Sequence, residues 1–360
     1  MRVGFLGAGL IATFHSKMIR RSGVEVERAG VYDPDAERAA GFAAASGSVA
    51  CASEDEVLDG CDAVYVCSWT SEHPRLVAAV VERGLAVFCE KPLAPTLAAA
   101  EAMAAVVGSG VTNQVGLILR RSPAFVWARH LVEAPDAGRV MAVVFRDDQY
   151  LPVQGTYGST WRGDRAKAGA GTLLEHSIHD LDMLRFLAGD VTSVSARDAH
   201  FHRLDGIEDV MAVSMAFADG GAGTLTSVWH DNLARPSLRR VEVLCERRWV
   251  AIDGDDWWGP VTWTDTDGGE GRLEGEALAA AATPLFSGPA NPDAAFLTAA
   301  ERREPAWPDF GLAVDAHRLV DAVYRSAAAG GAPCRPEPAV PDPARDLPRG
   351  PEPAVPEPPA

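Results

Sequence analysis

The chain has 360 residues, 47% hydrophobic and 23% charged, which is ample for two domains that each bury a core. A net charge of −17 argues against nucleic acid or an anionic membrane as partner, since both need a basic footprint. No run reaches the ~18 apolar residues of a membrane helix, no cleavage-site pattern follows the apolar start, and the six cysteines show no close pairing. The expectation is a cytoplasmic protein whose thiols are reduced and mostly in the core.

Arg2 to Leu6 reads as a short buried strand that runs into Gly7-Ala8-Gly9-Leu10-Ile11-Ala12, with a helical pattern after it. Gly-x-Gly-x-x-Ala between a strand and a helix is the context in which the pattern means dinucleotide binding. Gly7 allows the tight turn, Gly9 lets the backbone approach a pyrophosphate, and Ala12 lets the helix pack close to the strand. The helix N-terminus, opening at Leu10 and Ile11, offers N–H groups and a positive dipole end to the phosphates. A second strand, Val24 to Tyr32, ends in Asp33, about 20 residues past the glycines, where a carboxylate can accept from the adenosine ribose hydroxyls. Asp33 repels a 2′-phosphate and favours NAD, whereas Arg38 on the next helix could contact one and leaves NADP open.

Strands and helices then alternate. A helix is predicted over Asp35–Ala45, a minor strand near Ser48–Cys51 and a short helix from Ser53. Asp62–Cys67 is a strand, Glu72–Arg83 a helix, Leu85–Cys89 a strand, Thr96–Val107 a helix and Thr112–Leu117 a last strand. Such alternation means a parallel sheet covered on both faces, with ligands beyond the carboxyl ends of the strands. Gly7–Gly9, Asp33, Ser68–His73 and Glu90–Pro92 all fall at such ends, so one crevice collects them.

Past Arg120 the pattern changes. Phe125–Glu133 looks helical and Val140–Tyr150 strand-like; Gln154–Ala170 reads as a loop and Thr172–Leu187 as one strong helix. Strands follow at Val191–Phe201, Glu208–Phe217, Gly223–Trp229, Arg240–Cys245 and Trp249–Ile252, which means a largely antiparallel sheet. Its open face is a candidate for contact with a partner subunit. Helices at Pro292–Arg303 and Leu312–Ala328 complete the body, the last packing back on the first domain. The predicted organisation is α/β: residues 1–120 a dinucleotide-binding domain, 121–331 a substrate and oligomerisation domain, and 332–360 a proline-rich disordered tail.

Two stretches carry chemistry. In Glu90-Lys91-Pro92 a strand delivers a lysine to the cofactor crevice, where its ammonium can polarise a substrate oxygen and favour an alkoxide-like transition state. In Leu174–Asp182, the residues Glu175, His179 and Asp182 stand at i, i+4 and i+7, on one face of a helix. A His with a carboxylate one turn away can act as a general base near neutral pH. Glu175 and His179 could also ligate zinc, but the further ligands would be His200 and His202, which read as ordinary sheet residues. No metal is expected.

The chain resembles the glucose–fructose oxidoreductase / inositol dehydrogenase / MocA family over nearly all of Met1 to Pro333. The marks are Gly7-x-Gly9-x-x-Ala12, Asp33, the Cys67–His73 segment, Gly84–Ala94 with Glu90-Lys91-Pro92, Arg120-x-x-Pro123, Trp161-Arg162, and Gly169-x-Gly171-x-Leu173-Leu174-Glu175-x-x-x-His179-x-x-Asp182. The late Asp321-Ala322-Val323-Tyr324-x-Ser326 matches the family's final helix. The resemblance implies a Rossmann domain followed by an α/β domain with an open antiparallel sheet, assembled into homodimers or homotetramers through that sheet. It implies hydride transfer between a nicotinamide and a ring carbon of a sugar, cyclitol or related polyol. Lys91 would hold and polarise the reacting oxygen and His179 would be the acid–base residue, the two converging over the nicotinamide. Glu175, where many members have Asp, would bind substrate with a side chain one methylene longer. Ser68, His73 and Glu90 would line the cofactor, and Arg120, Trp161, Arg162 and His176 would approach the substrate. Competing readings are a redox-assisted lyase, glycosidase or epimerase with retained NAD, and an inactive cofactor-binding regulator.

Overall fold

In the computed structural model, which describes residues 1–108, 110–155, 158–232 and 236–338, the chain begins with β1 (Arg2–Leu6) and α1 (Leu10–Arg21). The turn between them needs glycine. Gly7 has φ +101°, and a Cβ there would lie 2.5 Å from the Cys67 carbonyl oxygen. Then come β2 (Glu27–Tyr32), α2 (Ala36–Ser46), β3 (Val49–Ala50), α3 (Glu54–Leu58), β4 (Ala63–Val66), α4 (His73–Glu82), β5 (Ala86–Cys89), α5 (Leu97–Val107) and β6 (Asn113–Val115). Short polar side chains start three of these helices: Asp35, Ser53 and Thr96 each accept a backbone N–H of the first turn.

The six strands form one parallel sheet in the order β3-β2-β1-β4-β5-β6. The order reverses between β1 and β4, which puts the ligand-binding switch point at the carboxyl ends of these two strands. Phe5, Tyr65 and Phe88 stack across neighbouring strands, and Phe296 meets Tyr65 and Phe88 edge-on. The chain divides into two units. Residues 1–118, 164–169 and 291–317 form the first; residues 119–163, 170–290 and 318–338 form the second. A single cut near residue 120 therefore misses two segments. The later one belongs with the first sheet because Phe296 and Leu297 are part of its core.

The second unit contains α6 (Pro123–Glu133) and β7 (Val140–Tyr150). A 3-10 turn at Thr160–Gly163 and the short α7 (Arg165–Ala168) interrupt what reads in sequence as plain loop, and α7 belongs to the first unit. Next come α8 (Thr172–Glu175), α9 (Ile178–Ala188), β8 (Val191–Ala199), β9 (Val210–Phe217), β10 (Ala222–His230), β11 (Leu238–Cys245), β12 (Arg248–Asp255), β13 (Gly259–Asp265), β14 (Glu270–Leu273) and α10 (Gly275–Ala282). The sheet order is β14-β13-β12-β11-β7-β10-β9-β8. Neighbours are antiparallel except β7 and β10, which run parallel. In β9, Met211, Val213, Met215 and Phe217 are buried while Ala212, Ser214 and Ala216 are exposed, so this sheet has one open face. The helices α11 (Pro292–Arg302) and α12 (Phe310–Ala328) end the body; α11 and the start of α12, through His317, belong to the first unit.

Two expectations are corrected here. The expected single helix over Thr172–Leu187 is two helices, broken at His176 and Ser177. The break has a local cause: the Thr172 and Ser177 hydroxyls both meet the Ser227 hydroxyl of β10, at 2.8 and 2.5 Å, and the Ser177 N–H reaches back to Thr172. The tail does not begin at Ala332, since Cys334 exchanges two backbone hydrogen bonds with Val194 of β8. Most of the predicted tail, 339–360, lies outside the described residues.

Candidate functional site

In the first unit, the carboxyl ends of β1, β2, β4 and β5 bring together the residues expected to hold a dinucleotide. Gly9 is the N-cap of α1 and makes no side-chain cap. A Cβ there would meet nothing within 4 Å, so the space in front of the turn is open. The Leu10 side chain beside it is 66% exposed. Asp33 is buried at the end of β2, with Oδ2 accepting from the Ala8 N–H at 2.9 Å and Oδ1 from the Asp35 N–H at 2.9 Å. The carboxylate thus braces the glycine turn. Oδ2 has a second lone pair with which to meet a hydroxyl, while Oδ1 also takes the long Arg38 contact. Arg38 is half exposed and reaches Asp33 at 3.5 Å and Asp35 at 3.3 Å. An open glycine cradle with an acid at the next strand end fits a dinucleotide, which the Gly7–Ile11 backbone and Asp33 would hold.

The Lys91 turn follows β5. Glu90 is buried, and its Oε2 accepts the Lys91 N–H at 3.2 Å. Two histidines hold the next residues. His73 Nδ1 lies 2.9 Å from the Pro92 carbonyl oxygen, and His317 Nε2 accepts the Leu93 N–H at 3.1 Å. Burial, with the nearby His73, pushes the His317 imidazole down to about 3, which suits a ring that must accept. His73 Nε2 also faces the Ser68 carbonyl oxygen, at 3.3 Å.

In the second unit a polar cluster surrounds the α8–α9 break. Glu175 closes α8, and its buried carboxylate accepts from Arg162 Nε at 3.0 Å. The Arg162 guanidinium lies over the Trp161 ring, 4.7 Å from its centroid. His179, near the start of α9, is 9% exposed. Because the helix breaks between them, Glu175 and His179 do not share one helical face as their spacing implies. His176, at the break, puts Nε2 2.7 Å from Asp147 Oδ2 of β7. Arg239 of β11 bonds Asp147 at 2.7 Å and Asp180 at 2.9 Å, and pairs with Asp256. Against the cost of burial, Arg239 and His176 hold the Asp147 carboxyl well below the usual carboxylate range. Burial and the Asp147 charge push the Asp180 carboxyl well above it.

Arg120, expected beside the substrate, is engaged in a buried ion pair. It is 1% exposed, and its guanidinium bonds both Asp182 oxygens at 2.8 to 3.0 Å. Both Asp182 oxygens, which its spacing grouped with Glu175 and His179, accept from Arg120. His200 and His202 follow the end of β8 rather than sharing a strand face; they bond Asp198 and Asp209. Among the described residues no group of three or more His, Cys, Asp or Glu side chains could hold a metal ion.

Sequence reasoning missed His15, Asp293, Asp147, Asp180, Arg239 and His317. Only His15 left a local signal: it shares the buried face of α1 with Ala12, Ser16 and Ile19, where an imidazole needs a partner.

Residues 1–116 match the family model described as "Oxidoreductase family, NAD-binding Rossmann fold", and residues 125–251 match the GFO/IDH/MocA C-terminal domain. The 1,5-anhydro-D-fructose reductase of Ensifer adhaerens is 32% identical over 228 residues, 61% of this chain and 66% of that protein. The scyllo-inositol 2-dehydrogenase (NAD(+)) of Bacillus subtilis (strain 168) is 32% identical over 236 residues, 62% of this chain and 66% of that protein. Each match therefore spans just under two thirds of the relative's length. An oxidoreductase domain protein from Kribbella flavida shares the fold with a TM-score of 0.82 at 24% identity, covering 93% of this chain and 99% of that one. A levoglucosan dehydrogenase solved with NADH gives 0.82 at 20% identity, covering 94% and 100%. With both of its domains matched, the chain belongs to the Gfo/Idh/MocA family of NAD-binding oxidoreductases.

Proposed function

We propose that the protein is an NAD-dependent dehydrogenase or ketoreductase acting on a ring carbon of a sugar, cyclitol or related polyol. The observation that carries this reading is Lys91, which follows β5 of the same parallel sheet in which β1, two strands away, leads into the open Gly7–Gly9 turn. The names of the relatives, a keto-sugar reductase and a cyclitol dehydrogenase, support the substrate class.

Bound NAD supplies the hydride acceptor in one direction and, reduced, the donor in the other. Lys91 donates to the reacting oxygen and stabilises the charge that grows on it. His179 takes the carbinol proton and returns it in the reverse direction. Glu175, charge-balanced by Arg162, accepts from substrate hydroxyls, and Trp161 gives the sugar ring a flat apolar face. His176, anchored on Asp147, donates or accepts at the edge of the same cluster. On the cofactor side, the Gly7–Ile11 backbone takes the pyrophosphate, Asp33 the ribose, and Ser68 and His73 the nicotinamide side. Asp33 favours NAD over NADP, with Arg38 the only basic group of the set near a 2′-phosphate position. The reading extends to a cytoplasmic homodimer or homotetramer formed through the open face of the second sheet, where Met141 and Val144 are exposed.

The test is a nicotinamide absorbance screen over cyclitols, free sugars, nucleotide-linked keto-sugars and aminoglycoside precursors, with NAD and NADP. Turnover of at least one class is expected, and Lys91→Ala should lower kcat by at least ~100-fold while NADH binding survives. Silence across the panel, or near-wild-type turnover by Lys91→Ala, overturns the reading.

A further inference from the structure

Behind the Lys91 turn lies a buried row of ionisable groups. Glu90 Oε1 is 2.9 Å from His15 Nε2, and His15 Nδ1 is 2.7 Å from Asp293 Oδ1. The three residues come from the end of β5, from α1 and from α11, all within the first unit. His15 and Asp293 are fully buried. Ionised carboxylates only accept, so the ring bonds both partners only if each nitrogen carries a proton, which makes it an imidazolium. Burial works against that charge, but Asp293 and Glu90 outweigh it and raise the His15 pKa to about 10. In return, and again against burial, His15 and Lys91 keep the Glu90 carboxyl below its usual range.

The surroundings are cut to this row. A Cβ at Gly116 would lie 2.7 Å from Glu90 Oε1 and 2.9 Å from its Cδ, so only glycine leaves room for the carboxylate. The His15 ring packs edge-on to Phe88, with centroids 4.7 Å apart, and lies 5.3 Å from Tyr65. Glu90 is faced by His15 from α1, by Asp293 of α11 beyond it, by Cys67 past the end of β4, and by Cys89 and Lys91 of its own segment. Its second oxygen, Oε2, accepts the Lys91 N–H.

We propose that His15 and Asp293 are positioning residues for the reaction: they clamp the Glu90 carboxylate, and Glu90 fixes the turn that presents Lys91. The inference rests on the reading of Lys91 given above. Without the clamp Glu90 is a buried acid with no cation on Oε1. It then protonates at a higher pH, and the turn loses the ionised acceptor that holds the Lys91 N–H.

The experiment compares the full-length wild type with His15→Leu, Asp293→Asn, Glu90→Gln, Lys91→Ala and the double variant His15→Leu/Glu90→Gln. It measures melting temperature, NADH binding, and kcat and kcat/KM between about pH 5 and 9 on the best-turned-over member of the panel. His15→Leu should bind NADH within about threefold of wild type and lose about 100-fold in kcat, the cost of a misplaced reacting group. Its acid limb should move up by about one pH unit or more. Asp293→Asn should shift the limb the same way by less, and it carries the test if His15→Leu does not fold. Glu90→Gln has no carboxyl to titrate, so adding His15→Leu to it should change kcat by less than about threefold. His15 and Asp293 variants that melt lower yet keep wild-type kcat and pH profile overturn the clamp, as does an equal pH shift in the Glu90→Gln background. If Lys91→Ala turns over like wild type, the reading of Lys91 itself falls; if only Lys91→Ala is impaired, the clamp alone falls.

Discussion

Arg162 Nε donates to Glu175 Oε2 at 3.0 Å, tying the turn before α7 to the last residue of α8. The Glu175 side chain is 0% exposed and that of Arg162 is 26% exposed. The carboxylate is therefore out of water while its cation stays at the edge of it. Removing the cation takes one partner from a buried carboxylate, so Arg162→Ala should destabilise the protein by about 1–3 kcal/mol and raise the KM for the best-turned-over member of the panel. Glu175→Gln keeps the shape without the charge and should raise KM with a smaller loss of stability. Thermal unfolding and initial-rate kinetics on both variants check this. Equal melting temperatures for wild type and Arg162→Ala would show that the pair contributes nothing.

Arg120 and Asp182 form a pair of a different kind, with both side chains out of solvent. Taking away one partner of such a pair costs about 3–5 kcal/mol, because the other charge stays buried without it. Arg120→Leu should therefore lower the unfolding midpoint strongly while the folded fraction keeps its KM. A raised KM at unchanged stability would return Arg120 to the substrate-binding set.

Asp33 braces the glycine turn through the Ala8 N–H, and in the proposed reading its carboxylate meets the ribose. Asp33→Ser removes the charge that repels a 2′-phosphate and leaves Arg38 in place. NADH binding should weaken by about tenfold, the cost of losing charge-assisted hydrogen bonds, while the ratio of NADPH to NADH affinity rises. Fluorescence titrations with the two reduced cofactors check both halves. An unchanged ratio would mean that Asp33 does not select the cofactor.

His15 and His317 load the pH dependence of stability in opposite directions. The imidazole of His15 is raised from 6.5 to about 10, so its stabilisation is full below pH 6.5 and fades as pH climbs towards 10. That of His317 is lowered from 6.5 to about 3; the unfolded chain takes up a proton that the folded one refuses, and stability falls as pH drops from 6.5 towards 3. Melting temperature against pH should decline on both sides of neutrality. His317→Gln, whose amide oxygen can still accept the Leu93 N–H, should flatten the acid side, and His15→Leu the alkaline side. If each variant merely lowers the whole curve, neither histidine titrates as described.

Much of the first unit is legible in the sequence, because its signals are local. The Gly7 turn is imposed by a positive φ and a crowding carbonyl, and Asp35, Ser53 and Thr96 cap helices where their side chains predict it. The second unit is less legible. β13, β14 and α10 lie in a run rich in glycine, aspartate and alanine, where Val261 and Trp263 alone mark the buried face of β13. The helix around Glu175 and His179 has an unbroken sequence pattern, yet it is split by a hydroxyl of β10.

Periodicity and turn chemistry, which act between residues a few positions apart, decided from the sequence alone that a parallel sheet with a dinucleotide turn comes first and a mostly antiparallel sheet second. Which charges pair was left to the tertiary structure. Arg120 is spent on Asp182, 62 positions away, and His15 on Asp293, 278 positions away. Out of water a charge must find its counter-charge wherever the packed chain brings one, and no local pattern records that choice.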